Sequence, residues 1–170
     1  MKNNRAQSAS AFTLIETLIA ITLITVVLTA VTGLILTTLL ANQRNLHSLQ
    51  GMYLAQEGLE AVRFMRDSNW LHNYSWDGGS SEWGADFDLG TDTELNLFLK
   101  EESSAPYFAF TTNASEATVI NEGGIEYTRE LTFKSVTDMA EAVEVTATVS
   151  WEERGITRSV DLSTYLSDWK

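Results

Sequence analysis

The sequence predicts an α+β protein in which one long N-terminal α-helix packs on a C-terminal antiparallel β-sheet. The first observation behind this prediction is an apolar run over residues 12–41 that contains one charge, Glu16, and no proline. The second is that apolar residues continue at helical spacing beyond the run. The third is the alternation of apolar and polar residues over the last fifty positions, which is typical of half-buried strands. A chain of 170 residues has the length of roughly one domain.

The helix is predicted to run from about residue 12 to residue 67, with an apolar first half and an amphipathic second half. At ~1.5 Å per residue the apolar half extends for ~45 Å, which exceeds the ~30 Å hydrocarbon core of a bilayer. Gly33 and Gly51 are predicted to be points where the helix bends or loosens. In the second half, steps of three and four residues predict one buried face, which packs on the sheet. That face consists of Leu46, Leu49, Met52, Ala55, Leu59, Val62 and Met65.

The sheet is predicted from the strands that follow. Residues 68–93 mix aromatic side chains with glycines, which indicates an ordered loop folded over part of the core. Residues 94–100 fit either a short helix or a strand. Alternation predicts strands over residues 117–120, 125–134 and 143–151, and a last strand that begins near Ile156. Since each strand has one polar face, the amphipathic half of the helix is expected to cover the other face.

Charge and composition exclude several classes of function. The net charge is −12, which removal of the basic residues Lys2 and Arg5 would take to −14, so no nucleic-acid partner is expected. The sequence contains no cysteine, which excludes a disulfide, a thiol nucleophile and a Cys-based metal site. It shows no nucleophile motif and no glycine-rich phosphate loop, and His47 and His72 are expected at the surface. No enzyme is therefore expected.

The N-terminal residues resemble a known processing signal. A basic leader is followed by Ala11-Phe12-Thr13-Leu14-Ile15-Glu16 and then by the apolar run. This combination resembles the processing site of type IV pilins and of the pseudopilins of type II secretion, over about 50 residues of the chain. One position departs from the pattern, because the family usually has glycine where this chain has Ala11.

The resemblance implies how the chain is processed and organised. A prepilin peptidase would cut between Ala11 and Phe12, and the new amino group of Phe12 would be methylated. Residues 1–11 would then be a leader peptide, residues 12–41 a transmembrane and later filament-core helix, and residues 42–170 an outward-facing pilin-like domain. Because Lys2 and Arg5 are the only charges in the leader, its N-terminus is expected on the cytoplasmic side.

Glu16 is the candidate assembly residue. A carboxylate inside a membrane helix costs ~2.5–3.5 kcal/mol or more unless it has a partner. The resemblance implies that Glu16 meets the free amino group of Phe12 on a neighbouring subunit, which sets the register of assembly. The alternative is a tolerated acid that stays in contact with water near the helix end.

The function predicted from these features is that of a structural subunit, a minor pilin or pseudopilin, of a type IV pilus-like or type II secretion-like filament. The partners implied by the resemblance are the prepilin peptidase, other pilin subunits and the assembly platform. The protein would lie in the cytoplasmic membrane before assembly and in an extracellular or periplasmic filament afterwards. One alternative is a single-pass, membrane-anchored extracytoplasmic binding domain, and another is a secreted binding protein with a conventional signal.

Three features remain open at this point. Asp86, Asp88, Asp92 and Glu94 surround Gly90 and offer oxygen ligands for Ca²⁺, although acid-rich loops are usually only solvated. No other cofactor is expected. The aromatic side chains of residues 68–93 either bind a carbohydrate or partner protein or anchor the loop to the core. The threonines of the apolar run either join packed helices or bond to their own backbone.

Overall fold

The fold is taken from a computed structural model that describes residues 13–78, 94–101, 108–120, 123–136 and 142–168. Contacts divide the chain into two units, Met1–Asn45 and Leu46–Lys170. Helix α1, Leu14–Leu71, begins in the first unit and ends in the second. In the second unit α1 packs on an antiparallel sheet, which confirms the predicted α+β class.

Helix α1 has a defined cap at each end. At the start, the Glu16 amide donates to the Thr13 carbonyl oxygen at 3.0 Å and lies 3.4 Å from Thr13 Oγ1, so Thr13 is the N-cap. At the end, the Asn73 and Tyr74 amides donate to the carbonyls of Trp70 and Asn69, the pattern of a Schellman motif. Asn73 has the left-handed φ of 61° that this motif requires. Because this cap closes the helix at Leu71, α1 extends four residues beyond the predicted end at residue 67.

Among the described residues the sheet contains six strands, with a short 3-10 helix, Ala114–Ala117, before the third. The strands are β1 Glu94–Glu101, β2 Phe108–Thr111, β3 Thr118–Ile120, β4 Glu126–Ser135, β5 Ala142–Glu153 and β6 Ile156–Ser167. Their order is β2-β1-β4-β5-β6, β3 also pairs with β4, and every pairing is antiparallel. The ambiguity over residues 94–100 is resolved because β1 lies between β2 and β4, so that both of its edges have a backbone partner. The sequence analysis did not predict β2.

Strands β5 and β6 form a long hairpin with a two-residue turn. Their pairing continues from Ala142 opposite Ser167 to Glu153 opposite Ile156. Arg154 and Gly155 occupy the turn with φ values of 56° and 76°. Positive φ at both central residues is the signature of a type I′ turn, whose twist matches that of the paired strands.

The core of the second unit lies between one face of the sheet and one face of α1. Alternate residues of β4 and β5 point into it, which confirms the predicted period of two. Tyr127, Leu131 and Phe133 on β4 are fully buried. On β5 the buried set is Val143, Val145, Ala147, Val149 and Trp151.

The buried face of α1 differs from the predicted one. Ala55, Leu59, Val62 and Met65 are buried as expected, whereas three side chains of the predicted face that lie nearer the start of the unit are exposed. These exposed side chains are Leu46, Leu49 and Met52. Small residues of α1 face the sheet instead of these three side chains. The helix backbone can therefore approach the bulky side chains of the strands.

Gly51 shows why small residues are needed there. A Cβ atom at Gly51 would lie 2.8 Å from Cζ3 of Trp151 and 3.2 Å from Cγ2 of Val160. Gly51 is buried within a continuous α-helix and lies against the Trp151 ring. This glycine thus serves close packing against the sheet, and the prediction of a bend or loosening there stays a prediction.

Candidate functional site

The apolar segment of α1 is a fully exposed helical surface. Every described side chain from Thr13 to Leu39 is exposed to solvent, although most of them are aliphatic. By length and composition, α1 is the one helix among the described residues that is long and apolar enough to cross a membrane. Apolar surface of this extent is not left in water, so lipid or other helices must cover it.

Glu16 lies in the first turn of this helix. Its position is favourable in one respect, because the positive end of the helix macrodipole stabilises a carboxylate in the first turn. The side chain is exposed, and within the described part of the chain it has no cationic partner. In the single chain, Glu16 is thus a carboxylate at the head of an apolar surface.

The threonine hydroxyls of the apolar segment bond to the backbone of their own helix. Thr22 Oγ1 donates to the Ile19 carbonyl at 2.8 Å, and Thr32 Oγ1 donates to the Leu28 carbonyl at 2.8 Å. Equivalent bonds are made by Thr17, Thr25, Thr29, Thr37 and Thr38. Because each hydroxyl proton is already donated to a backbone carbonyl of the same helix, these side chains present methyl groups and oxygen lone pairs to the surroundings. Of the two interpretations left open by the sequence, the structure supports bonding within the helix.

Comparison with known proteins identifies the N-terminal segment. The family model of the prokaryotic N-terminal methylation motif matches residues 7–32. The chain carries a type IV pilin-like prepilin segment. This prepilin segment implies processing by a prepilin peptidase and assembly with other pilins, and with the apolar helix it indicates membrane anchoring. Comparisons with curated proteins and with solved structures return no match.

The prepilin segment contains all three residues predicted for processing and assembly. Ala11, Phe12 and Glu16 lie within the matched range. Ala11 and Phe12 fall outside the described residues, and Glu16 is placed in the first turn of α1. Their individual roles remain predictions.

The proposed calcium ligands fall mostly outside the described residues. Asp86, Asp88 and Asp92 are not described, and Glu94 begins strand β1. Within the described ranges, no group of three His, Cys, Asp or Glu side chains is close enough to hold a metal ion. The calcium site remains a prediction.

Two of the described aromatic residues that follow the predicted helix end, Trp70 and Trp76, are anchored in the structure. Trp76 is buried in the core, and Trp70 packs against the core while Arg66 lies over its ring, 4.9 Å from the centroid. Asn69 is buried, and its Nδ2 lies 3.3 Å from the Trp76 carbonyl oxygen, which ties this segment to α1. For Trp70 and Trp76 the structure favours anchoring over ligand binding.

Each of the two histidines lies close to a polar group of the protein. His72 is exposed, as predicted, and its Nδ1 lies 2.8 Å from the Ser68 carbonyl oxygen. His47 is half-buried rather than fully at the surface, because its Nδ1 lies 3.4 Å from the Tyr127 hydroxyl at the edge of the core. Neither contact is that of a catalytic base with a nucleophile.

Arg129 is a buried charge that the sequence analysis missed. It occupies a core-facing position of β4 and is only 1% exposed. Its Nη1 lies 2.6 Å from Oε2 of Glu57 on α1, and its guanidinium lies over the Phe108 ring, 5.0 Å from the centroid. The sequence feature that could have revealed Arg129 is a charged residue at a position of the alternating strand where an apolar residue is expected. Arg129 joins helix to sheet and lies far along the chain from the prepilin segment.

Proposed function

We propose that this protein is a structural subunit, a minor pilin or pseudopilin, of a type IV pilus-like or type II secretion-like filament. The observation that carries the proposal is the prepilin segment at the head of a helix whose apolar side chains from Leu14 to Leu39 are all exposed. Before assembly, the subunit would lie in the cytoplasmic membrane with its N-terminus on the cytoplasmic side. Assembly would then transfer the apolar helix from lipid to the core of an extracellular or periplasmic filament.

Processing would create the positively charged amino group that pairs with Glu16 during assembly. Cleavage between Ala11 and Phe12 creates a free amino group, which methylation of Phe12 leaves positively charged. Glu16 is four residues away along the helix, so the amine and carboxylate of one subunit meet awkwardly. A neighbouring subunit that is shifted along the axis presents its amine directly to Glu16. In a medium of low dielectric constant, this pair is favourable relative to either charge left alone.

The function of the subunit would therefore be self-association and not chemistry on a substrate. The prepilin peptidase and the assembly platform act on it in turn, and other pilins are its lasting partners. Motility, adhesion, secretion or DNA uptake would be properties of the whole filament.

The first experiment determines the mature N-terminus by mass spectrometry of protein from membranes of the native host. The expected N-terminal residue is N-methylated Phe12. A mature protein that still begins at Met1 would indicate an uncut membrane anchor, and one that begins beyond residue 30 would indicate a conventional secretory signal. Either result would overturn the proposal.

The second experiment removes the charge of Glu16. In Glu16→Gln the shape is kept while the amine of the neighbour loses its partner, which for a buried pair costs about 3 kcal/mol or more. The amount of subunit in sheared filaments should fall by more than about tenfold. Thr17→Ala is the matched control, because the Thr17 hydroxyl bonds only to the Leu14 carbonyl of its own helix. Equal incorporation of Glu16→Gln and the control would remove the role of the carboxylate.

A further inference from the structure

The sequence contains two tripeptides of the form Asn-X-Ser, in which X is not proline. They are Asn73-Tyr74-Ser75, which follows α1, and Asn113-Ala114-Ser115, which follows β2. In proteins that cross a membrane, asparagine in this tripeptide accepts N-linked oligosaccharides, and the motif requires the hydroxyl two residues further on. Both asparagines and both serines are exposed. Sequence and exposure alone therefore do not distinguish the two positions.

At Asn113 the side-chain amide and the hydroxyl of the motif are already in contact. The Ser115 hydroxyl donates to Oδ1 of Asn113 at 2.8 Å, and the backbone N–H of Ser115 donates to the same oxygen at 3.2 Å. These two donors stabilise negative charge on the amide oxygen, which develops when the amide nitrogen loses a proton and becomes a nucleophile. The tripeptide therefore holds the hydroxyl where it activates the asparagine, at an exposed position.

At Asn73 the same groups are engaged differently. The Ser75 hydroxyl donates to the carboxylate of Asp77. The backbone N–H of Asn73 donates to the Trp70 carbonyl oxygen at 3.0 Å, within the left-handed turn that ends α1. To bring the Ser75 hydroxyl to the Asn73 amide, a transferase would have to break the bond to Asp77 and open this turn. The structure therefore favours Asn113 over Asn73 as an acceptor.

We propose that Asn113 is an N-glycosylation site and that Asn73 stays unmodified. The donor would be an oligosaccharide carried by a polyprenyl diphosphate, and a membrane-bound transferase would transfer it. The proposal rests on the proposed function in one respect, because the second unit must leave the cytoplasm to meet that transferase. Asn113 belongs to this unit and follows, in the chain, the helix that indicates membrane anchoring.

The reaction replaces one bond at the sugar with another. The amide nitrogen of Asn113 attacks the anomeric carbon of the oligosaccharide, and a carbon–nitrogen bond forms. The bond from that carbon to the diphosphate oxygen breaks, so that polyprenyl diphosphate leaves. The amide gives one proton to a base of the transferase. No oxidation or reduction takes place, and the asparagine and the saccharide donor are the two reactants.

The test is mass spectrometry of the full-length subunit, purified from membranes of its native host and digested with trypsin. Trypsin cuts after lysine and arginine, so Asn73 falls in the peptide of residues 67–100 and Asn113 in the peptide of residues 101–129. We expect a saccharide mass on the 101–129 peptide, placed on Asn113 by its fragment ions, and none on the 67–100 peptide. An unmodified 101–129 peptide, or a saccharide on Asn73, would overturn the proposal.

Two matched variants test the role given to the Ser115 hydroxyl. Ser115→Ala keeps Asn113 but removes the side-chain donor, so the saccharide should be lost. Ser115→Thr keeps a hydroxyl at the same position and should retain the saccharide. Because the Ser115 side chain is exposed, both variants should give the circular dichroism spectrum of the unaltered chain. A saccharide that persists in Ser115→Ala would contradict the proposal, since the motif requires the hydroxyl.

The mature N-terminus is read from the same digest, so failure of this proposal and failure of the filament function are distinguishable. N-methylated Phe12 together with an unmodified 101–129 peptide would mean that the glycosylation site is wrong while the filament function stands. A saccharide on Asn113 in a chain that still begins at Met1 would mean that the glycosylation site is right and the filament function is wrong.

Discussion

The close approach of α1 to the sheet predicts opposite effects of the same substitution at two buried glycines. In Gly51→Ala the new methyl group would lie 2.8 Å from Cζ3 of Trp151, a side chain only 3% exposed. In Gly58→Ala the nearest atoms are Cβ of Ala147 and Cδ2 of Leu131, both at 3.8 Å, which is ordinary van der Waals contact. Both glycines are inside α1, so the two substitutions differ mainly in packing.

The expected changes in the free energy of unfolding follow from two opposing contributions, helix propensity and packing. Replacement of a helical glycine by alanine favours the helix by about 1 kcal/mol. At Gly51 this gain is outweighed because overpacking a closed core costs about 1–3 kcal/mol, so the net change is a destabilisation of about 1 kcal/mol. At Gly58 the methyl group fits and adds about 0.8 kcal/mol of apolar burial, so Gly58→Ala should be stabilised by about 1–2 kcal/mol.

The assay is urea unfolding of the full-length protein in detergent micelles, followed by tryptophan fluorescence. Trp70, Trp76 and Trp151 report on the second unit, and the apolar segment is identical in all variants. The free energy of unfolding should rank Gly58→Ala above the unaltered chain and the unaltered chain above Gly51→Ala. A Gly51→Ala variant as stable as Gly58→Ala would refute the close contact between Gly51 and Trp151.

The remaining predictions concern a buried charge, a turn and the apolar segment. Glu57→Ala removes the half-exposed carboxylate beside the buried Arg129 guanidinium, so urea unfolding should show a loss of about 1–3 kcal/mol. Arg129→Met removes the buried charge itself and should cost less. The reverse order would contradict this account. Arg154→Asn suits the positive φ of the type I′ turn and should raise the thermal unfolding midpoint by a few degrees. Thr29→Val should leave filament yield unchanged, because the hydroxyl bonds to the Val26 carbonyl of its own helix; a lower yield would indicate bonding between helices.

The strands show which part of the fold follows from local pattern. The alternation around β4 and β5 predicted the buried and exposed faces, because side chains of a strand point to opposite sides and only one face meets the helix. The pattern did not decide residues 94–100, since a short apolar segment fits a helix as well as a strand. Pairing with β2 and β4 decided it. The type of the turn at Arg154 and Gly155 is set by the twist of the two paired strands.

The residues of the candidate site also differ in whether the local sequence can predict them. Ala11, Phe12 and Glu16 could be predicted from the sequence because a processing signal is a local series of side chains, which a peptidase meets in order. Arg129 was not found, because its importance depends on Glu57 and Phe108, which come from other elements. Local spacing marks Arg129 only as a charge at an apolar position of β4, and it does not show which residues of other elements contact it.

The prepilin segment, the apolar helix and the alternation of the sheet follow from local residue order, since each depends on neighbouring residues and the period of one element. Which face of the amphipathic helix is buried depends instead on contacts between the helix and the sheet. Counting apolar residues chose Leu46 and Leu49, but the Trp151 ring fills the space beside the helix, and only a residue as small as Gly51 fits against it. The three steps of three residues from Leu46 to Ala55 also turn the helix by about 180°, so Leu46 lies on the side opposite the buried Ala55 and stays exposed.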